Sequence, residues 1–176
     1  WGGAGRILEV GTGSGAIAIS LAKLLPQTFV TAVDLSSEAL SVAAANARIH
    51  GVDSRIAFLK CDFLRDSLSD DGKRYHLLVS NPPYIPSSQI EGLQREVKDY
   101  EPRMALDGGE DGLLFYRAIK EKAPALLHKG GMVLMEVGYN QAEKVREILA
   151  DTFHDIETIK DLAGIERVVG GRFEQR

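Results

Sequence analysis

The amino-acid sequence predicts an α/β fold in which helices cover both faces of a mainly parallel β-sheet. Apolar runs of strand length recur along the chain, and segments with helical periodicity lie between most of them. Such alternation is typical of parallel strands that are buried on both faces. The chain has 176 residues, 44% of them hydrophobic, which is enough for one substantial core. The predicted strands are 7–10, 29–33, 56–59, 76–80 and 132–137, followed by two near 156–160 and 167–173.

Four helices are predicted between these strands. The first lies between strands one and two, carries apolar residues at helical spacing and ends before Pro26. The second begins after a cap at Ser36 or Ser37 and ends before Gly51, which suits the position that follows a helix C-terminus. The remaining two are predicted at 112–127 and 141–149.

The segment 85–110 departs from this compact alternation. It is rich in charged residues and proline, and it is long for a connection within a domain. Because loops of this length are usually functional or contain short helices, we expect one of the two here.

Charge and composition narrow the classes of partner. A net charge of −4 disfavours a protein that binds mainly nucleic acid, because such affinity comes from clustered Lys and Arg. Apolar stretches such as 16–22 end well before the ~20 residues that cross a bilayer, so no membrane partner is expected. A single cysteine, Cys61, fits a reducing compartment, and we expect a cytoplasmic monomer. The four histidines show no ligand spacing, so no metal site is expected.

A glycine-rich loop follows the first predicted strand. It consists of Gly11, Thr12, Gly13, Ser14 and Gly15. Glycines at the turn from a strand into a helix let the backbone approach a ligand, and this is where open α/β sheets bind ligands. With Ala16, the loop also satisfies the pattern of NAD-binding folds. Its third glycine, however, comes one position early for that pattern.

Acidic residues near the ends of the first three strands complete a candidate cofactor site. Asp34, followed by Leu35, ends the second strand about 20 residues after the loop, where a carboxylate can accept hydrogen bonds from ribose hydroxyls. Asp62 is predicted to end the third strand, where it could accept from an adenine amino group while Phe63 packs on the ring. Together with the early third glycine, Asp62 favours S-adenosylmethionine (AdoMet) over NAD. Glu9 either contacts the methionine end of the cofactor through water or orders the glycine loop.

The fourth predicted strand is followed by Asn81, Pro82, Pro83 and Tyr84, hereafter the acceptor corner. The two prolines fix φ and remove two N–H donors, so the turn presents acceptors only. A planar NH₂ group has two N–H bonds, and the Asn81 side-chain oxygen and the Pro82 carbonyl could accept one each. Tyr84 can pack against the same planar group.

These properties predict methyl transfer to a planar NH₂ group. An amide nitrogen is a poor nucleophile, because its lone pair is delocalised, so positioning must carry the reaction. Holding the nitrogen and the methyl group in line can lower the activation barrier by up to ~7–11 kcal/mol. Acceptors also stabilise the charge that grows on nitrogen. We therefore predict that Asn81, Pro82 and Tyr84 are catalytic and that Pro83 binds substrate with them. Asn81 is also predicted to contact the cofactor, as is Leu35 beside Asp34.

Other functions stay open at this point. The NH₂ group could belong to a glutamine side chain or to an adenine or guanine base. An NAD-dependent dehydrogenase fits the glycine loop and Asp34 but leaves the acceptor corner unexplained. A domain that binds its cofactor without catalysis is the remaining alternative.

Several motifs resemble those of the HemK family, the peptide chain release factor glutamine N5-methyltransferases, within the class I AdoMet methyltransferase superfamily. The resemblance spans nearly the whole chain, and its most specific part is the middle stretch, which generic methyltransferases lack. The matching segments are 11–16, 81–85, 101–106, 108–112, 115–117 and 167–169.

The resemblance implies a Rossmann-like, seven-stranded, mostly parallel sheet whose last strand is antiparallel. It implies AdoMet over residues 11–15, with Asp34 at its ribose and Phe63 near its adenine. It also implies that the acceptor corner grips the glutamine of the Gly-Gly-Gln motif in class I release factors. Family members carry an N-terminal helical domain that helps dock the release factor. This chain begins at Trp1, a few residues before its first strand, so we expect 1–176 to be the catalytic domain alone.

Overall fold

A computed structural model of the chain describes residues 5–68, 72, 74–98 and 100–174; Trp1 and its three successors lie outside them. Within this part the strands are β1 (Gly5–Val10), β2 (Thr28–Asp34), β3 (Ile56–Lys60), β4 (Tyr75–Ser80), β5 (Leu127–Glu136), β6 (Phe153–Lys160) and β7 (Glu166–Phe173). They form one sheet in the order β3-β2-β1-β4-β5-β7-β6. Pairing is parallel from β3 to β5, and β7 runs antiparallel to both β5 and β6. The predicted seven-stranded sheet with an antiparallel last strand is confirmed.

Helices cover both faces of this sheet, as predicted. They are α1 (Ala16–Leu24), α2 (Ser37–Ile49), α3 (Arg95–Lys98), α4 (Arg103–Leu106), α5 (Leu114–Leu126) and α6 (Ala142–Leu149). The small buried residues of α1 and α2 share one core with Ile7, whereas α5 and α6 pack in the other core with Leu8. Adjacent residues of β1 thus point into different cores, and both are fully buried. This is why the central strands read as continuous apolar runs rather than as alternating ones.

The predicted boundaries of α1 and α2 agree with the structure. The α1 helix ends at Leu24, two residues before Pro26. The hydroxyl of Ser36 accepts a hydrogen bond from the Ala39 amide at 3.1 Å and so caps α2. At the other end of α2, Gly51 has a φ of 66°, the left-handed conformation that often follows a helix.

Two predicted strand boundaries were wrong. The β5 strand begins at Leu127, five residues earlier than predicted, because an irregular lead-in precedes its apolar core and shifts the register with β4. The β3 strand ends at Lys60, two residues before Asp62. The Cys61 amide still donates to the Asp34 carbonyl, but the Asp62 amide turns away to the Asp66 carboxylate at 2.8 Å.

The long segment between β4 and α5 is partly helical, which is one of the two alternatives that its sequence left open. It contains a 3-10 helix at Ser87–Gly92 as well as α3 and α4, and residue 99 lies outside the described part. We call residues 85–112 the strap. Its ends are held together by the Asp107 carboxylate, which accepts from the Ser87 hydroxyl and the Gly109 amide, and by an isolated bridge between Ile85 and Asp107. The two ends of the strap therefore lie close together, beside the acceptor corner.

The junction of α5 and β5 generates a prediction about stability. The Arg74 guanidinium donates to the carbonyls of Pro124 and Leu127 at 2.7 and 2.8 Å. Pro124 lies in the last turn of α5, where the backbone carbonyls have no partner within the helix. We expect Arg74→Ala to lower the free energy of unfolding by about 1–2 kcal/mol, measured by urea unfolding. Arg65→Ala is the control, because that side chain is 88% exposed and should change stability by less than about 0.5 kcal/mol. Equal effects of the two variants would contradict the proposed capping.

Candidate functional site

The register of the central strands brings the predicted site residues together. Val10 at the end of β1 pairs with Val33 on one side and with Ser80 on the other. The next residue of each strand or turn is Gly11, Asp34 and Asn81 respectively. The chain passes from β1 to β2 on one side, while β4 flanks β1 on the other, so this edge is the topological switch point at which α/β sheets bind ligands.

The glycine loop has the geometry that its sequence suggests. The amides of Gly11 and Thr12 both donate to the Val33 carbonyl, at 2.9 and 3.1 Å. Gly15 precedes α1 with a φ of 84°, and a Cβ there would lie 3.0 Å from the Ala43 Cβ of α2. A side chain at this position would therefore be strained and would also separate α1 from α2.

Glu9 lies under the glycine loop and is almost completely buried. One carboxylate oxygen accepts from the Thr12 hydroxyl at 2.6 Å and from the Ala18 amide at 3.1 Å. Burial raises the pKa of Glu9 to about 7, although these hydrogen bonds oppose the shift. Of the two roles considered for Glu9, the observed contacts are those that order the loop, and its contact with a cofactor stays a prediction.

Asp34 connects the glycine loop to α2. One carboxylate oxygen accepts from the Gly13 amide at 2.8 Å, and the other accepts from the Ser36 amide at 2.9 Å. A carboxylate has about four acceptor positions, so lone pairs remain on Asp34. Leu35 follows with 44% of its surface exposed, so it presents an apolar surface at this edge.

Asp62 and Phe63 lie in the turn that follows β3. The Asp62 carboxylate accepts from the Leu64 amide at 3.1 Å, and its side chain is 25% exposed. Phe63 is only 4% exposed, and the Lys122 ammonium lies 5.0 Å from the centre of its ring. The Asp62 carboxylate is thus accessible, whereas the ring of Phe63 is part of the core, and the adenine contact of Phe63 stays a prediction.

The acceptor corner is attached to the glycine loop through Ser80. The buried Ser80 hydroxyl donates to the Val10 carbonyl at 2.8 Å, which joins the ends of β4 and β1. Asn81 is exposed, Pro82 is buried, and Pro83 and Tyr84 are half-buried. The polar end of the corner therefore faces outward beside the loop, while its proline base is packed.

Tyr84 lies in a partly desolvated environment. Burial raises the pKa of its phenol, and the nearby Glu136 carboxylate adds to the increase. Burial also raises the pKa of Glu136, and Arg167 opposes that shift. The buried Tyr116 donates to the Glu136 carbonyl at 2.9 Å and so supports this end of β5 from below.

Sequence reasoning missed one residue that contacts the acceptor corner. Gln141, which was assigned only to the start of a helix, donates from its side chain to the Tyr84 carbonyl at 2.9 Å. The local signal for it is weak: a glutamine three residues after Gly138, shortly after the end of a predicted strand. Its contact with residue 84 is long-range and leaves no periodic pattern.

Two of the four histidines, which are far apart in the sequence, lie close together in the structure. The rings of His76 and His128 lie 4.6 Å apart near the starts of β4 and β5, at the edge opposite the glycine loop. Within the described ranges, no group of three or more His, Cys, Asp or Glu side chains is arranged to hold a metal ion. Nor does any helix in them have the length and apolar character to span a membrane.

The buried Glu9 generates a pH prediction. A carboxyl whose pKa is raised in the folded state opposes folding once the unfolded chain ionises. The free energy of unfolding should therefore fall as the pH rises from the ordinary value of 4.5 to about 7, and then level off. At about 1.4 kcal/mol for each unit of pKa, the fall is about 3 kcal/mol. The Glu9→Gln variant cannot ionise at this position and should not show this fall in the free energy of unfolding.

Urea unfolding of the wild type and of Glu9→Gln between about pH 4 and pH 8 measures this difference. The difference in free energy between the two proteins should change by about 3 kcal/mol across that range. If the two pH curves stay parallel, Glu9 is ionised in the folded protein and the explanation fails.

Solved structures share this fold. TrmN from Thermus thermophilus superposes with a TM-score of 0.68 and 24% identity, covering 97% of this chain and 44% of that one. A SAM-dependent O-methyltransferase from Thermotoga maritima gives a TM-score of 0.70 at 16% identity, covering 98% of this chain and 60% of that one. At these identities the likeness shows the fold alone.

Sequence comparisons show the family. Residues 7–100, just over half of the chain, match the family model described as a methyltransferase domain. A release factor glutamine methyltransferase from Geobacter sulfurreducens is 48% identical over 96% of this chain and 58% of its own length. Its counterpart from Chlorobaculum tepidum is 47% identical over 92% of this chain and 55% of its own length. The chain thus belongs to the methyltransferase domain family, and the resemblance of its motifs to the release factor glutamine methyltransferases is confirmed.

Proposed function

We propose that this chain transfers a methyl group from AdoMet to the side-chain amide nitrogen of the glutamine in the Gly-Gly-Gln motif of class I release factors. The observation that carries the proposal is the position of the acceptor corner directly beside the glycine loop, across the switch point. Its similarity to release factor glutamine methyltransferases supports the choice of substrate. The chain spans less than three fifths of those relatives, so their activity is proposed for it rather than established.

The residues at the sheet edge fit AdoMet. Space is open beside Gly13, where an added Cβ would meet nothing within 4 Å. The free lone pairs of Asp34 suit ribose hydroxyls, and the exposed Leu35 offers an apolar surface for adenine, with the Asp62 carboxylate available to its amino group. When bound, AdoMet supplies a methyl group on a positively charged sulfur. Glu9 places a carboxyl group under the loop on the same side.

The acceptor corner orients the target nitrogen. An amide NH₂ that donates to the Asn81 side-chain oxygen and to the Pro82 carbonyl has both hydrogens fixed, so the face of its nitrogen is fixed as well. These two oxygens would also stabilise the positive charge that develops on nitrogen as its bond to the methyl carbon forms and the bond between that carbon and sulfur breaks. One of the two hydrogens then leaves the nitrogen as a proton to solvent, which gives the neutral N-methyl amide. The half-buried Tyr84 packs against the planar group.

Glutamine is favoured over a nucleic-acid base. An exocyclic amine of adenine or guanine has the same two N–H bonds, and this is the alternative substrate class. The net charge of −4 disfavours it, because binding a polyanion requires clustered cations. The named relatives favour glutamine independently. The proposal makes a release factor the protein partner and the cytoplasm the site of action, and the monomeric state stays a prediction.

The substrate is tested directly by methyl transfer. The purified protein, labelled AdoMet and a class I release factor should give label in the release factor, and changing the Gly-Gly-Gln glutamine to alanine should abolish it. DNA and RNA serve as parallel substrates and should stay unlabelled. Labelling of the alanine variant at the wild-type level, or preferential labelling of a nucleic acid, would show that the proposed acceptor is wrong.

The role of Asn81 is tested by Asn81→Ala. Removing its acceptor should lower the rate of methyl transfer by about 100-fold or more, because one of two contacts to the reacting nitrogen is lost. Affinity for AdoMet, measured by calorimetry, should change by less than about tenfold, the value of roughly one hydrogen bond. Calorimetry with NAD on the wild type should detect no comparable binding. Full activity of the variant would refute the assignment.

A further inference from the structure

One side-chain amide joins three segments of the chain behind the acceptor corner. The Gln141 nitrogen donates to the Tyr84 carbonyl at 2.9 Å and to the Gly112 carbonyl at 3.4 Å. Its oxygen accepts from the Gly138 amide at 2.9 Å. These contacts connect the end of the acceptor corner, the end of the strap and the loop that follows β5.

The acceptor corner depends on donors from outside itself. Two successive prolines leave it without N–H groups at Pro82 and Pro83, so these positions cannot be tied down by bonds that they donate. Donors from other segments can hold it instead. Gln141 supplies such a donor at Tyr84, two residues after Pro82, and leaves the Pro82 carbonyl outside its own contacts.

Three glycines allow the surrounding segments to approach the corner closely. A Cβ at Gly112 would lie 2.4 Å from the Tyr84 carbonyl oxygen and 2.7 Å from the Gln141 nitrogen. One at Gly138 would lie 2.6 Å from the Gln141 oxygen and 2.9 Å from the Tyr84 ring, and one at Gly108 would lie 2.8 Å from the Tyr84 Cα. Since real Cβ atoms do not approach so closely, side chains at these positions would displace the corner or the Gln141 amide.

We propose that Gln141 is a positioning residue for methyl transfer, which holds the acceptor corner in the orientation that receives the target amide. The inference rests on the proposed function. Gln141 acts through Tyr84 and the strap, and its observed bonds reach none of residues 11–15. Its loss should therefore impair the chemical step while cofactor binding is retained.

Two substitutions separate the parts of this contact. Gln141→Glu keeps an oxygen that can accept from the Gly138 amide, but it replaces the donor to Tyr84 with a second acceptor, which repels the carbonyl. Gln141→Met keeps the length of the side chain and removes all three bonds. Gln27→Met is the matched control, because Gln27 is exposed just before β2, at the opposite edge of the sheet.

Steady-state kinetics with AdoMet and a release factor tests the positioning role. Both Gln141 variants should lose about 100-fold in kcat, the cost of misplacing reacting groups by about 1 Å, and the glutamate should be no better than the methionine. The AdoMet affinity should change by less than about threefold. Gln27→Met should match the wild type. Retention of kcat within about threefold in both variants, or a loss of AdoMet affinity that parallels the loss of kcat, would overturn the proposal.

Amide hydrogen exchange gives a readout that does not require activity. The Gly138 amide should exchange faster in Gln141→Met but stay protected in Gln141→Glu, while the amides that close the strap, at Ile85 and Gly108, should exchange faster in both. Unchanged exchange in both variants would overturn the proposal even if no release factor is methylated. Failure of methyl transfer by the wild type, with the expected exchange pattern, would instead reject the proposed function. It would leave intact the conclusion that Gln141 holds the acceptor corner in place.

Discussion

The site depends on one constraint, the level at which three parallel strands end. Val10 pairs with Val33 and with Ser80, so the buried hydrogen-bond ladder sets Gly11, Asp34 and Asn81 side by side. Side-chain direction alternates along a strand, and a slip of one residue would turn every core side chain to the other face. Because the two faces pack in two different close-packed cores, such a slip would put side chains of the wrong shape into both, and core packing therefore aligns the polar edge.

The polar edge offers oxygen acceptors on both sides of the switch point. Asp34 lies on the loop side with the buried Glu9 beneath the loop, and Asn81 and the Pro82 carbonyl lie on the other side. In the proposed reaction, the oxygens at this edge would stabilise positive charge, both the fixed charge of a sulfonium and the charge that grows on an amide nitrogen. Backbone amides and the Thr12 hydroxyl donate to the carboxylates of Asp34 and Glu9, so these two groups are oriented before a ligand arrives.

The fold and the main loops could be predicted because they follow local patterns, whereas the support of the site could not. Apolar runs revealed the strands, and Gly11 and Pro82 marked the two turns at the switch point. The bond from Gln141 to Tyr84 crosses 57 positions, and such contacts leave no periodicity. The burial of Phe63, which is 4% exposed, could not be predicted because sequence position gives no measure of burial. The predicted fifth strand was too short because residues 127–131, which begin β5, contain two glycines rather than an apolar run.

The position of β7 in the sheet determines when β6 can join it during folding. Among the described strands, β6 precedes β7 along the chain yet pairs with β7 alone, and β7 separates it from β5. The edge of β5 therefore has no neighbour on that side until the last strand has been synthesised, and β6 can join the sheet only as half of a hairpin. An unpaired edge of this kind can accept a strand from another molecule. A nascent or partly unfolded chain is thus open to exchange of this hairpin between copies.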